Sequence, residues 1–205
     1  MLGIERASSA SMISAVVLAA GASTRLGRPK QLLELDGKPL VQHVIDASLE
    51  AGLDEVLVVL GHEAERIRDA LRLSSRTKIV VNREYRRGQS TSLSVGLAAA
   101  DGRAEAGVLL LGDQPRLSAA HIQRAVAAWR ESDAAVVRAV FGDVPGHPVV
   151  AAREAWPLLT AARGDEGARS ILKGGSVDVV GVSLGTEPLA DVDTWADYRR
   201  LTGPP

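Results

Sequence analysis

Cysteine is absent from this chain of 205 residues, which excludes disulfides, thiolate catalysis and zinc–thiolate sites. Aromatic residues make up only 3%, too few for the stacking platform that single-stranded nucleic acid prefers. Neither sign of charge is in excess. The 24 basic and 25 acidic residues leave a net charge of −1, which argues against a nucleic-acid groove or a polybasic membrane surface. No apolar run approaches the roughly 20 residues of a membrane span. The Ser/Ala-rich stretch 1–12 lacks the apolar core of a secretory signal; it is read as a disordered extension, and a cytoplasmic location is expected. The four histidines, at 43, 62, 121 and 147, have no spacing that suggests a shared metal. What is present is ordinary globular composition, 46% apolar and 24% charged, in a length that suits one domain with a sizeable core.

Apolar strand-like runs alternate with helical patterns. Strands are expected over 15–19, 55–60, 78–81, 107–111, 134–140 and 177–182. Helices are expected over 39–51, 63–71, 90–100, 154–159, 166–172 and 194–201, and from an N-cap at Ser118 through 130. Between 140 and 154 only the pair Val149-Val150 reads as extended. Such alternation indicates βαβ units, hence an α/β fold with a mostly parallel central sheet covered by helices on both faces. Ligands of such sheets bind beyond the carboxyl ends of the strands. No repeat or linker interrupts 13–205, which is read as one domain.

The stretch Leu18-Ala-Ala-Gly-Ala-Ser-Thr-Arg-Leu-Gly-Arg-Pro-Lys30 follows the first strand directly. Gly21 and Gly27 let backbone approach a ligand closely, and Arg25, Arg28 and Lys30 favour an anionic one. A polyphosphate fits. Five residues separate Gly21 from Gly27, and Arg28 rather than Lys-Ser/Thr follows, so this is no P-loop. Serine at 23 breaks the dinucleotide fingerprint Gly-x-Gly-x-x-Gly. Asp113 follows the apolar strand 107–111, between Gly112 and Pro115, on the same sheet edge as the loop. A lone carboxylate there has no evident structural task and is the strongest candidate metal ligand. Asp191 and Asp193 would point the same way if their stretch is extended.

The loop resembles that of nucleotidyltransferases carrying Leu-Ala-Ala-Gly-x-x-x-Arg-x-Gly-x-x-Lys. Gly88-Gln-Ser-Thr-Ser-Leu-Ser-Val-Gly-Leu97, Leu111-Gly-Asp-Gln-Pro115, Gly146-His-Pro148 and Asp191-Val-Asp-Thr194 extend the resemblance over about 14–201. Within that superfamily the chain is most similar to the molybdenum cofactor cytidylyltransferases, with the guanylyltransferase branch next. The resemblance implies a Rossmann-like three-layer sandwich and a Mg²⁺-dependent transfer of CMP from CTP to the terminal phosphate of molybdopterin, with release of pyrophosphate. It implies that Arg25, Lys30 and Asp113 are catalytic and that Asp113 and Asp193 hold the metal. It places the nucleotide on Leu18, Ala19, Ala20, Gly21, Ala22, Arg25, Lys30, Gly88, Gln89, Ser90 and Ser92. The acceptor falls to Gln114, His147 and Arg169, with 140–180 as the acceptor-binding part. A downstream molybdoenzyme or its chaperone would receive the product.

Other readings stay open: GTP in place of CTP on the same acceptor, a cytidylyltransferase for another small phosphate, or a non-catalytic nucleotide-binding or cofactor-chaperone module. Gln114 after Asp113, rather than methionine, inclines the resemblance to cytidylyl transfer.

Overall fold

The apolar run at 13–19 becomes a strand buried on both faces, because helices cover each side of the sheet in which it lies centrally. The computed structural model describes residues 11–161, 163–164, 168–175 and 177–203. The strands are β1 (Ile13–Ala19), β2 (Glu34–Leu35), β3 (Lys38–Pro39), β4 (Glu55–Leu60), β5 (Thr77–Val81), β6 (Ala106–Leu111), β7 (Val136–Phe141), β8 (Val144–Ala152) and β9 (Val179–Gly185). The helices are α1 (Leu40–Glu50), α2 (Ala64–Asp69), α3 (Gln89–Ala98), α4 (Ala119–Glu131), α5 (Trp156–Thr160), α6 (Arg169–Lys173) and α7 (Trp195–Thr202). Seven strands form one sheet in the order β5-β4-β1-β6-β8-β7-β9. Pairs β1–β4, β1–β6, β4–β5 and β7–β9 are parallel; β8 runs antiparallel to both β6 and β7. The protein is a single-domain α/β fold with a mostly parallel sheet.

One face of the sheet packs on α1 and α4, through Val44, Ile45, Ile122 and Trp129 among others. The other carries α3 and α5, through Leu93, Leu97, Trp156 and Leu159. Ser118 caps α4 as expected, accepting from the backbone N–H of His121, and the His121 ring accepts in return from the N–H of Ser118.

Two elements depart from the sequence reading. β8 is nine residues long, where only Val149-Val150 read as extended. Pro145 and Pro148 hide it, since proline cannot donate to a ladder, and the first half of the strand is exposed or half-buried. The short hairpin β2–β3 turns at Asp36-Gly37, both with positive φ; two-residue strands leave no alternation to read. The stretch 1–10 and residues 165–167, part of the expected helix over 166–172, lie outside the described residues.

A small separate core sits beside the first loop. Leu26, Leu33, Leu35, Leu40 and Val192 are buried there, with Tyr198 and Leu201 of α7 packed on them. The Tyr198 hydroxyl donates to the Glu34 carbonyl at 2.5 Å. This cluster ties the end of the chain to its beginning, 164 residues apart at that bond.

Candidate active site

The carboxyl ends of β1 and β6 lie side by side, Leu18 opposite Leu111, so the loops that follow them meet. Gly112 makes this close approach possible: a Cβ there would stand 2.8 Å from that of Ala19. The first loop is held in shape by side chains. Gln31 is buried and donates to the carbonyls of Ala19 (2.8 Å) and Gly21 (3.1 Å). Ser23, at φ +53°, accepts from the Lys30 N–H at 3.0 Å. Together they fold the loop back so that the Lys30 ammonium enters the cleft.

That ammonium donates to Asp113 Oδ2 at 2.5 Å and to Asp193 Oδ1 at 2.7 Å. Arg25, exposed at the rim, donates to the other oxygen of Asp193 at 2.9 Å. Burial alone would lower the Lys30 pKa, but the charge and hydrogen bond of Asp113, seconded by Asp193, outweigh it and raise it. Lys30 therefore stays cationic. For Asp193 burial acts upward, and the Lys30 and Arg25 contacts outweigh it and hold the carboxyl below its usual range. Asp113 Oδ1 is buried with no hydrogen-bond partner.

Asp191 and Asp193 do face the same cleft, with Val192 buried in the opposite direction. Burying that valine contributes about 1.5–3 kcal/mol and fixes which way both carboxylates point. Asp193 is not the cap of α7: Thr194 is, in a capping box with Asp197. Asp191 accepts from the Gln114 side-chain amide at 2.7 Å. Burial, then the charge of Asp113, raises its pKa.

Two cavities flank this cluster. One, of about 360 Å³, is lined by Leu18, Ala19, Ala20, Gly21, Ala22, Lys30, Gln89, Ser92 and Asp113 of the expected residues. Gly88 caps α3 at φ 109°. Ser90 lines a different, polar cavity on the far side, with Asn82 and Thr160. Gln31, Tyr85 and Arg86 also line the first cavity, and the sequence reading missed them. The second cavity, of about 300 Å³, shares Leu18, Gln89 and Leu111 with the first and brings together Gln114, His147, Arg169 and Asp191. It also contains Arg138, which was missed although a lone cation inside the apolar run 134–140 marks it. His147 is half-buried; burial, then the charges of Arg138 and Arg169, lower its pKa to about 4. It is neutral at pH 7.

A glycine-containing loop with lysine and arginine, opposed by carboxylates at the carboxyl edge of a parallel sheet, defines a nucleotide-handling α/β protein. The sequence pattern of the MobA-like NTP transferase domain matches residues 15–180, and the chain belongs to that family of nucleotidyltransferases. It is 33% identical over 192 residues to the purine catabolism protein PucB of Bacillus subtilis (strain 168), spanning 89% of this chain and 92% of that protein. It is 34% identical over 198 residues to the nicotine blue oxidoreductase of Paenarthrobacter nicotinovorans, spanning 92% and 96%. Among solved structures, Rv0371c of Mycobacterium tuberculosis H37Rv superposes with a TM-score of 0.86 at 34% identity, covering 95% of this chain and 99% of that one. Rv0371c has also been solved as a manganese complex. Among the described residues no helix is long and apolar enough to cross a membrane.

Proposed function

We propose that this nucleotidyltransferase transfers CMP from CTP to the terminal phosphate of molybdopterin and releases pyrophosphate. The observation that carries the reading is the Lys30 ammonium held between Asp113 and Asp193, where the two cavities adjoin. The cavity beside Lys30 takes the nucleotide. The other, lined from β7, β8 and α6, takes the acceptor, in keeping with an acceptor-binding part near 140–180 within a domain of 13–205.

An oxygen of the acceptor phosphate attacks the α-phosphorus. The bond from that phosphorus to the bridging oxygen breaks, and pyrophosphate leaves with the electron pair. A phosphate monoester has its second pKa near 6 and is already anionic at pH 7, so no side chain has to remove a proton. Catalysis is then alignment and charge neutralisation. Lys30 and Arg25 neutralise the triphosphate and the charge that builds on the leaving group. Gly21 and Ala22 let backbone approach the phosphates. Gln89, at the seam of both cavities, positions the two substrates relative to each other.

A divalent metal fits these residues. Asp113 Oδ1 is buried without a partner, and Asp193 stands across Lys30 from it. Among the described residues there is no group of three or more acidic or histidine ligands, and magnesium takes few carboxylates, completing its shell with water and phosphate oxygens. Asp113 and Asp193 would hold Mg²⁺, which when bound offsets charge on the transferring phosphate. CTP is favoured over GTP by the resemblance around Asp113-Gln114. The cytoplasm and a receiving molybdoenzyme or its chaperone complete the proposal.

The test is pyrophosphate release with Mg²⁺, molybdenum-loaded molybdopterin and each of CTP, GTP, UTP and ATP. The reading expects acceptor-dependent release with CTP, lowered by roughly 10²–10³ in Asp113→Asn. Preference for GTP would move the protein to the guanylyl branch. No acceptor-dependent release with any nucleotide would refute the molybdopterin assignment. A relative bears an oxidoreductase's name, so NAD(P)H oxidation in the same preparation is the control that separates hydride chemistry from phosphoryl chemistry.

A further inference from the structure

Arg138 is the side chain whose position folding explains least. It lies in β7 between the buried Val137 and Ala139, and its Nε is buried with no hydrogen-bond partner. Among the described residues no carboxylate pairs with Arg138 or with Arg169, the second guanidinium of the same cavity. Burial, then the charge of Arg169, pushes the Arg138 pKa below its ordinary value. A half-buried cation beside a like charge weakens the fold unless something anionic joins it. Among the described residues the only carboxylate lining the cavity, Asp191, is engaged by Gln114 and lies next to Asp113 and Lys30. The remaining wall is apolar: Leu93, Leu109, Phe141, Val149 and Leu172.

We infer that Arg138, together with Arg169 and the neutral ring of His147, forms a second anion-binding point, distinct from Lys30, that admits only acceptors carrying an oxyanion on a flat, largely apolar body. The inference rests on reading this cavity as the acceptor site. The planar guanidinium of Arg138 suits a bidentate contact with phosphate or carboxylate oxygens. Neutral His147 adds a hydrogen bond without adding a third positive charge. The apolar wall packs against the ring. The triphosphate of the nucleotide meets its own cations, Lys30 and Arg25, so the two anions are sorted by place.

The experiment measures binding of 4-methylumbelliferyl phosphate and of the neutral 4-methylumbelliferone to the full chain, beside calorimetric binding of CTP. In wild type the phosphate ester should bind at least tenfold more tightly than the neutral ring. Arg138→Met should remove that difference, Arg138→Lys should restore part of it, and CTP affinity should change less than twofold in both. Arg138→Met should also melt no lower than wild type without ligand, because the variant loses a half-buried cation that sits beside the like charge of Arg169 and keeps most of the volume. Arg169→Gln, on a surface helix, should weaken the ester alone. Equal binding of ester and neutral ring to wild type, no ester binding at all, ester affinity indifferent to Arg138, or displacement of the ester by CTP would each overturn the inference. Absence of CTP binding with ester selectivity intact would instead refute the nucleotidyl-transfer reading and leave the anion point standing.

Discussion

The two cavities use the same kind of side chain in opposite states. At the Lys30 cavity two cations are matched by carboxylates in the resting protein, Lys30 with Asp113 and Asp193 and Arg25 at the rim with Asp193, while Arg86 lies over the Tyr85 ring. At the other cavity Arg138 and Arg169 face each other's charge, and among the described residues no carboxylate is bonded to either. The matched site is complete as folded and can exchange its internal partners for a metal and a polyphosphate. Among the described residues the unmatched site offers its guanidinium groups no bonded carboxylate, and the proposed ligand would supply the anion. On the proposed reading, charge balance within the fold separates a side that would take a metal and a polyphosphate from a side that would take an anion alone.

The largest effect expected in this comparison comes from the matched side. Asp113→Asn should lower turnover by roughly 10²–10³, the cost of losing one preorganised charge in such a site, while nucleotide Kd changes far less; steady-state rates beside calorimetry check it. Next comes Gly21→Ala. An added Cβ at Gly21 meets no atom within 4 Å and its φ is not positive, so nothing in the fold itself requires glycine. The variant should keep its melting temperature and raise the Kd for CTP about tenfold, or about 1.4 kcal/mol; unchanged Kd would show that no ligand approaches the loop there. Tyr198→Phe breaks the bond to the Glu34 carbonyl and should cost about 1 kcal/mol in urea unfolding, with activity reduced through the slackened Asp193 segment.

The smallest effect lies on the unmatched side. His147 should titrate near pH 4 by NMR. Its folded pKa lies below the ordinary 6.5, so as pH falls the unfolded chain takes the proton first. Stability should therefore decline between pH 6.5 and about 4. An anion bound at Arg138 and Arg169 should move the His147 midpoint upward, whereas an anion confined to Lys30 should leave it in place.

The same contrast governs what the sequence discloses. The Lys30 side was legible because its parts are local: a strand, a glycine turn and cations all between Ile13 and Lys30, and Asp113 two places after an apolar strand. The shared direction of Asp191 and Asp193 followed from extended geometry, and buried Val192 accounts for it. The Arg138 side was only partly legible. Its walls come from β6, β7, β8 and α6, far apart in sequence, and β8 is masked by two prolines. Arg138 reads as an ordinary strand arginine until the structure removes its partners. Gln31, Tyr85 and Arg86 were missed for a similar reason: nothing in their spacing reveals that Gln31 turns inward or that the turn before α3 borders the Lys30 cavity.

The most direct test of the central claim is label transfer from CTP in the presence of Mg²⁺ and molybdopterin. With the α-phosphate labelled, wild type should pass the label to the acceptor and release one pyrophosphate per transfer, and Asp113→Asn should do so roughly 10²–10³ more slowly. Transfer of a γ-label, or label remaining wholly on CTP and its hydrolysis products, would contradict nucleotidyl transfer at the Lys30–Asp113–Asp193 cluster.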